Sequence, residues 1–122
     1  MIRLVNESRG GVLLADQVRV ADGFAARARG WLGHRPRPGE GLVLIPCRAI
    51  HSWFMRGPID VAFVDASGRI LHAIHRLPPF RSARRPGARC VVELAPGILE
   101  ATGTQVGDRL GLYRGMFRLP YF

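Results

Sequence analysis

A chain of 122 residues, 48% of them hydrophobic, has the length of one domain and enough apolar side chains to build a core without disulfide staples. That composition excludes a disordered chain. The net charge of +9 comes from 18 basic and 9 acidic residues, and every basic residue is arginine, the cation best matched to carboxylates, phosphates and aromatic faces; nucleic acid and acidic ligands therefore stay open as partners, beside a simply solvated basic surface.

Ile2–Val5 and Gly11–Leu14 are short apolar runs around a polar turn, a hairpin signal, and Gln17–Val20 reads as a third short strand. Asp22 is placed to cap a helix whose apolar stripe is Phe24, Ala28, Trp31 and Leu32. Gly33 is the expected stop, and Pro36 and Pro38 bar continuation. Residues 33–41 then form a basic loop. Leu42–Ile45 reads as a buried strand ended by Pro46. Residues 47–56 are ambiguous, although Ile50–Met55 favours an extended chain. After the turn at Gly57 and Pro58, Ile59–Val64 is the strongest strand signal, apolar on both faces except at Asp60. It turns through Ala66–Gly68 into a partner strand, Arg69–Leu77.

Residues 78–89, PPFRSARRPGAR, read as a long polar loop. Cys90–Leu94 is a further strand. Pro96 opens a helix of about two turns that Gly103 closes, and Arg109–Tyr113 is the last strand. The tail, 113–122, is expected to pack on the body of a single domain spanning 1–122. The sum is an α+β fold, predominantly antiparallel: a curled sheet or partial barrel of about seven or eight short strands with two short helices. No run approaches the ~20 apolar residues of a membrane span, and Met1–Gly10 lacks the apolar stretch of a secretory signal. Cys47 and Cys90 form no disulfide framework, so reduced thiols in a cytoplasmic protein are expected.

Most residues suited to chemistry lie in one run, Cys47–Asp65, CRAIHSWFMRGPIDVAFVD. Cys47, His51 and Met55 are spaced four apart. Neighbours at that spacing are ~6 Å apart on a helix and ~13 Å apart on a strand. The extended reading therefore places them too far apart for one ion, and neither a metal nor a cofactor is expected. The same distance opposes a Cys47–His51 nucleophile pair, although Arg48 and Arg56 would supply the electropositive setting of a reactive thiol; a buried structural cysteine is the simpler reading.

His51 alone would serve as a proton donor or a ligand-orienting group, or would bond a carbonyl at the sheet rim. Asp60 is either a polar anchor in a pocket, an acceptor of backbone N–H groups from the turn at Arg56–Pro58, or the partner of an arginine. Glu93 stands among apolar strand residues in the same way; if the two carboxyls met, they would resemble acid/base machinery. The segment 76–89 carries Arg76, Arg81, Arg84, Arg85 and Arg89 around Phe80, a candidate anion-binding loop with one aromatic for stacking.

PCRAIHSWFMRGPIDVAFVD, followed by a hairpin turn, LPPFR, VVELAPG and VGDRL, resembles the small uncharacterised bacterial and archaeal proteins grouped as "domain of unknown function 192". RARGWLG is similar to that family's Arg-x-x-Gly-Leu-Met segment, and order and spacing agree over about residues 15–112. The resemblance places Cys47, His51, Met55, Arg56, Asp60, Phe63, Arg81, Glu93, Gly97, Gly107 and Asp108 at the family's motif positions. Gly57, Trp31 and Ser52 depart from its usual bulky apolar residue, Leu and Thr. It implies a mainly β fold with short helices and no established activity.

The expected function is a binding or accessory module. Its pocket would lie near the start of strand 59–64, rimmed by His51, Arg56, Asp60 and Arg81, and would hold a small polar or anionic ligand. The alternatives are a hydrolytic or thiol-dependent enzyme using Cys47 or a His51/Asp60 pair, and nucleic-acid association through the Arg76–Arg89 loop, which would weaken steeply with salt.

Overall fold

The computed structural model describes residues 1–31 and 33–122, apart from the side chains of Phe24, Ala28 and Arg29. Among the described residues the elements run β1 (Ile2–Asn6), β2 (Val12–Ala21), α1 (Phe24–Arg29), β3 (Gly39–Leu44), β4 (Ala49–His51), β5 (Ile59–Val64), β6 (Ile70–Leu77), β7 (Ser82–Arg84), β8 (Cys90–Leu94), α2 (Ile98–Ala101), β9 (Leu110–Arg114) and β10 (Phe117–Arg118). Eight strands form one sheet in the order β10-β9-β1-β2-β3-β8-β5-β6, and β4 pairs with β7 in a separate ribbon. The pairings are antiparallel except β2 with β3. A parallel neighbour needs a crossover rather than a hairpin, and α1 with residues 30–38 supplies it. The sheet curls until Arg69 and Arg109 meet in an antiparallel bridge. There Ile70 donates its N–H to the Asp108 carbonyl at 2.9 Å and Leu110 donates to Gly68 at 2.8 Å. The result is a partial barrel whose two ends join at one rim.

Every residue of β5 and β8 is buried, because both faces of the sheet are covered; this is why their sequences are unbroken apolar runs. One core fills the curl, with Leu4, Val43, Ala62, Val64, Val92, Leu94, Leu99 and Leu110. The second lies on the opposite face, where Leu42, Leu44, Val61, Phe63 and Val91 meet Trp31 and Met55. Side chains alternate between the two along each strand. The β4–β7 ribbon contributes Ile50 and Ala83 to the second core, and Phe122 reaches the first.

The expected strands at 11–14 and 17–20 are one strand, β2. It stays continuous because β1 lies along one edge and β3 along the other. Asp22 does not cap α1: Gly23 precedes the helix without a side-chain cap bond, and Asp22 offers its carbonyl to Arg27 at 3.0 Å. The helix stops at Gly30, not Gly33, and Trp31 then turns into the second core. The rest of the expected stripe, Phe24, Ala28 and Leu32, lies outside the described side chains. The helix after Pro96 is one turn rather than two; the Thr102 hydroxyl bonds the Ile98 carbonyl at 2.8 Å and closes it. Residues 78–89 are not all loop, because β7 forms within them against β4.

Candidate functional site

The segment 47–56 and the arginine segment fold as one unit, and Ser52 joins them. Its hydroxyl donates to the Pro78 carbonyl at 2.6 Å and accepts from the Arg81 N–H at 3.0 Å. Its backbone N–H donates to the Arg81 carbonyl at 2.8 Å, and its carbonyl accepts from Met55 and Phe80. Ser52 is fully buried. Sequence reasoning noted it only as a departure from Thr; the signal that would have found its role is a small hydroxyl residue between a Trp and a His in an otherwise apolar, extended run. Phe54 and Phe80, on the two turns this hub gathers, have φ of 65° and 64°, the left-handed region that bulky residues rarely adopt. Both rings are exposed, and backbone hydrogen bonds hold the turns: Phe80 donates its N–H to the Ser52 carbonyl, and the Phe54 carbonyl accepts from Gly33.

A cleft of about 110 Å³ opens between this unit and the end of α1. Arg27, Gly30 and Trp31 form one wall, Cys47, Ala49, His51, Trp53 and Met55 the other, and Leu44 and Glu93 line it from the sheet. Glu93 is there because of register. It sits opposite Leu42 on β3 and Val61 on β5, so its side chain shares their face, within the second core. It is 5% exposed, and it accepts no hydrogen bond among the described residues. Burial pushes its carboxyl pKa up to about 7, against a smaller opposing pull from Arg19. The Arg19 guanidinium is itself directed at the Gly30 carbonyl, 2.7 Å away.

Cys47 lines the same cleft, and its thiol donates to the Ala49 carbonyl at 3.1 Å. Burial raises its pKa, and the nearby Glu93 adds to the rise. That is the opposite of what activates a nucleophilic thiol. Cys90 lies on the other face, in the first core, with its thiol pushed up to about 12 by burial.

The other sequence-predicted residues are dispersed. His51 lines the cleft, with its ring edge-on to Trp53 at 6.4 Å. Asp60 does not reach it. It sits opposite Leu94 and shares the first core's face, so Asp60 and Glu93 point away from each other across one sheet. Asp60 is fully buried, and its carboxyl oxygens accept the N–H groups of Arg76 and Leu99, both at 2.9 Å. These are not the N–H groups of the 56–58 turn. Arg76 lies at a β-bulge between the Ile59 and Val61 pairings, with φ of 52°, and Leu99 is in the first turn of α2; both N–H groups lack a ladder or helix partner. Among the described residues no hydrogen bond joins His51 to Asp60.

Arg56 lines a different depression with His34, Arg35 and Arg37, and Arg35 lies over Gly57, where a Cβ would stand 3.4 Å from its Nε. Arg81, Arg84, Arg85 and Arg89 are exposed, and Arg76 pairs with the exposed Glu100 at 3.1 Å. Among the described residues no three His, Cys, Asp or Glu side chains group to hold a metal, and no helix is long and apolar enough to cross a membrane.

Comparisons with known proteins agree on kinship. The family model DUF192, described as an uncharacterised ACR, matches residues 5–112. A UPF0127 protein of Pyrococcus horikoshii is 32% identical over 112 residues, covering 88% of this chain and 96% of its own. A UPF0127 protein of Pyrococcus furiosus is 37% identical over 100 residues, covering 77% and 84%. A crystal structure of a protein of unknown function from Novosphingobium aromaticivorans superposes with a TM-score of 0.75 at 19% identity, over 89% of this chain and 81% of that one; at that identity it speaks for the fold. The chain belongs to the DUF192 family, also named UPF0127.

Proposed function

We propose that this DUF192 chain is a small-ligand-binding module whose pocket is the cleft between α1 and the β4–β7 ribbon. One observation supports the reading above the others: a single cleft gathers both tryptophans, Met55, His51, Arg27 and the mostly buried carboxyl of Glu93. Burial disfavours the ionised form of that carboxyl, and a ligand carrying a hydrogen-bond donor would find a polar group there. Trp31, Trp53, Met55 and Leu44 supply the apolar contact, while His51 and Arg27 stand as polar groups in the walls, the usual composition of a small-molecule site. The ligand is therefore polar at one end and apolar along its body. Thiol chemistry at Cys47 has less support, because its environment favours the protonated form.

A fragment screen followed by NMR tests this, reading the indole N–H signals of Trp31 and Trp53. Fragments that shift both signals, and lose that effect in the cleft-filling variant Ala49→Phe, are the expected outcome. Hits that shift neither indole, or that bind Ala49→Phe unchanged, would place binding elsewhere.

A second reading has one observation of its own. Trp53 and Phe80 are exposed, their ring centroids 6.5 Å apart, on the same unit as Arg81, Arg84 and Arg85. Stacking rings beside arginines suit a single nucleic-acid strand. Fluorescence anisotropy with a single-stranded oligonucleotide should show binding in low salt that fades steeply as salt rises; no binding in low salt would end this reading.

A further inference from the structure

A second depression, of about 440 Å³, lies where residues 33–38 meet the turn at 54–56, and Arg35, Arg37 and Arg56 line it together with His34. The geometry points to this depression as a binding site for a phosphate monoester, with the three arginines as its donors. The run His34–Pro38 alternates arginine and proline. Each proline locks its own φ and biases the residue before it to extended backbone. Extended backbone sends Arg35 and Arg37 to one side and Pro36 to the other; accordingly both arginines are exposed and Pro36 is buried. Two backbone bonds dock this segment on the turn. Gly33 donates its N–H to the Phe54 carbonyl at 3.0 Å, and Arg56 donates to the His34 carbonyl at 3.3 Å, which brings Arg56 alongside. Arg35 lies across Gly57, where a Cβ would stand 3.4 Å from its Nε and 3.6 Å from its Cγ. That contact restrains a side chain otherwise in solvent.

The charge gathered here is mostly of one sign. All nine acidic residues of the chain are described, and the undescribed side chains, Phe24, Ala28, Arg29 and Leu32, carry no carboxyl. Among the described residues no salt bridge reaches Arg35, Arg37 or Arg56. Glu40 closes the loop: its carboxyl takes His34 Nε2 at 3.1 Å and the Arg37 N–H at 2.7 Å. It also interacts with the Arg37 charge at longer range, which leaves Arg35 and Arg56 as the stronger anchors. One guanidinium fork suffices for a carboxylate. A phosphate monoester offers three acceptor oxygens and a charge of about −2, so it engages several arginines at once. The volume of about 440 Å³ is in the range of small-molecule sites and leaves room for an organic group beside the phosphate. Pro36 and Pro38 give that group apolar walls.

The lining residues are distinct from those of the cleft, so the two readings stand or fall separately. The experiment titrates nitrogen-15-labelled protein with phenyl phosphate and with benzoate, following the backbone signals of Gly33, Arg35 and Arg56. Phenyl phosphate should shift these signals and bind at least about tenfold more tightly than benzoate. Arg35→Gln and Arg56→Gln should each weaken phenyl phosphate about tenfold. Arg84→Gln, an exposed position on β7 outside the depression, should change its affinity by less than about twofold. Signals that stay still, benzoate binding as tightly, or an equal loss in Arg84→Gln would each overturn the assignment; the last would make overall positive charge responsible. A small ester and the end of a nucleic-acid strand offer the same group. A short oligonucleotide with a terminal phosphate that binds more tightly than both its dephosphorylated form and phenyl phosphate identifies a strand end; otherwise the source is a small ester.

Discussion

Asp60 and Glu93 are both carboxyls removed from water on adjacent strands of one sheet, and they live on opposite faces. Asp60 is held by two backbone N–H groups that the fold would otherwise leave unpaired, one at the β6 bulge and one at the start of α2. Each oxygen satisfies a donor, so the buried carboxyl and the irregular backbone account for each other. Glu93 has no such partner among the described residues and faces a cleft. The contrast separates a carboxyl the architecture needs from one the architecture tolerates, and the second kind is where a binding site is to be sought.

Substitutions at the two positions should move stability in opposite directions. Asp60→Ala strands two buried N–H groups and should lose about 3–5 kcal/mol in urea unfolding; a loss below about 1 kcal/mol would show that the two bonds do little. Glu93→Gln should do the reverse, through pH. The carboxyl titrates at about 7 when folded, against 4.5 for the ordinary value. The folded state thus holds its proton to higher pH than the unfolded chain. Stability from this group is intact below about pH 4.5, falls as pH rises through 7, and is then fully lost. The glutamine variant should be more stable than the parent by about 3 kcal/mol at about pH 8 and equal to it below about pH 4.5. Glu7, Glu40, Asp65 and Asp108, held below their ordinary values, titrate alike in both proteins and cancel. No difference at about pH 8 would mean that Glu93 is solvated.

Two smaller effects sharpen the comparison. Ser52→Ala removes the hub that holds the wall opposite α1 and should lose about 2 kcal/mol, while raising quenching of Trp53 by iodide; unchanged quenching would show that the wall stands without it. Arg76→Gly keeps the N–H that Asp60 accepts and relieves a positive φ. It should stabilise by up to about 1 kcal/mol, the exposed pair with Glu100 being worth little. A clear loss would show that the Arg76 side chain, and not only its backbone, supports Asp60.

The sequence allowed the partial barrel to be read because β5 and β8 are apolar at nearly every position, a pattern only a doubly covered strand needs. It also pointed at Asp60 and Glu93 as anomalies, polar residues within those runs. Which face each occupies depends on the pairing of Asp60 with Leu94 and of Val61 with Glu93. Register is set by long-range pairing, not by local pattern, so the two carboxyls looked alike. The β4–β7 ribbon was hidden by its three-residue strands and by Pro78, Pro79 and Pro86, whose local signal is a loop. The cleft was hidden for the same reason: its walls are α1 and Trp31 on one side and residues 47–55 on the other, far apart along the chain. His51 and Cys47 were flagged and do line it. Arg56 and Arg81, judged by nearness in sequence, stand on other surfaces.

The most direct test is the protonation of Glu93 itself, followed by carbon-13 NMR of its side-chain carboxyl across pH. A midpoint near 7 is the expected result. A midpoint near 4.5 would describe an ordinary solvated glutamate and would contradict a carboxyl held largely out of water at the cleft.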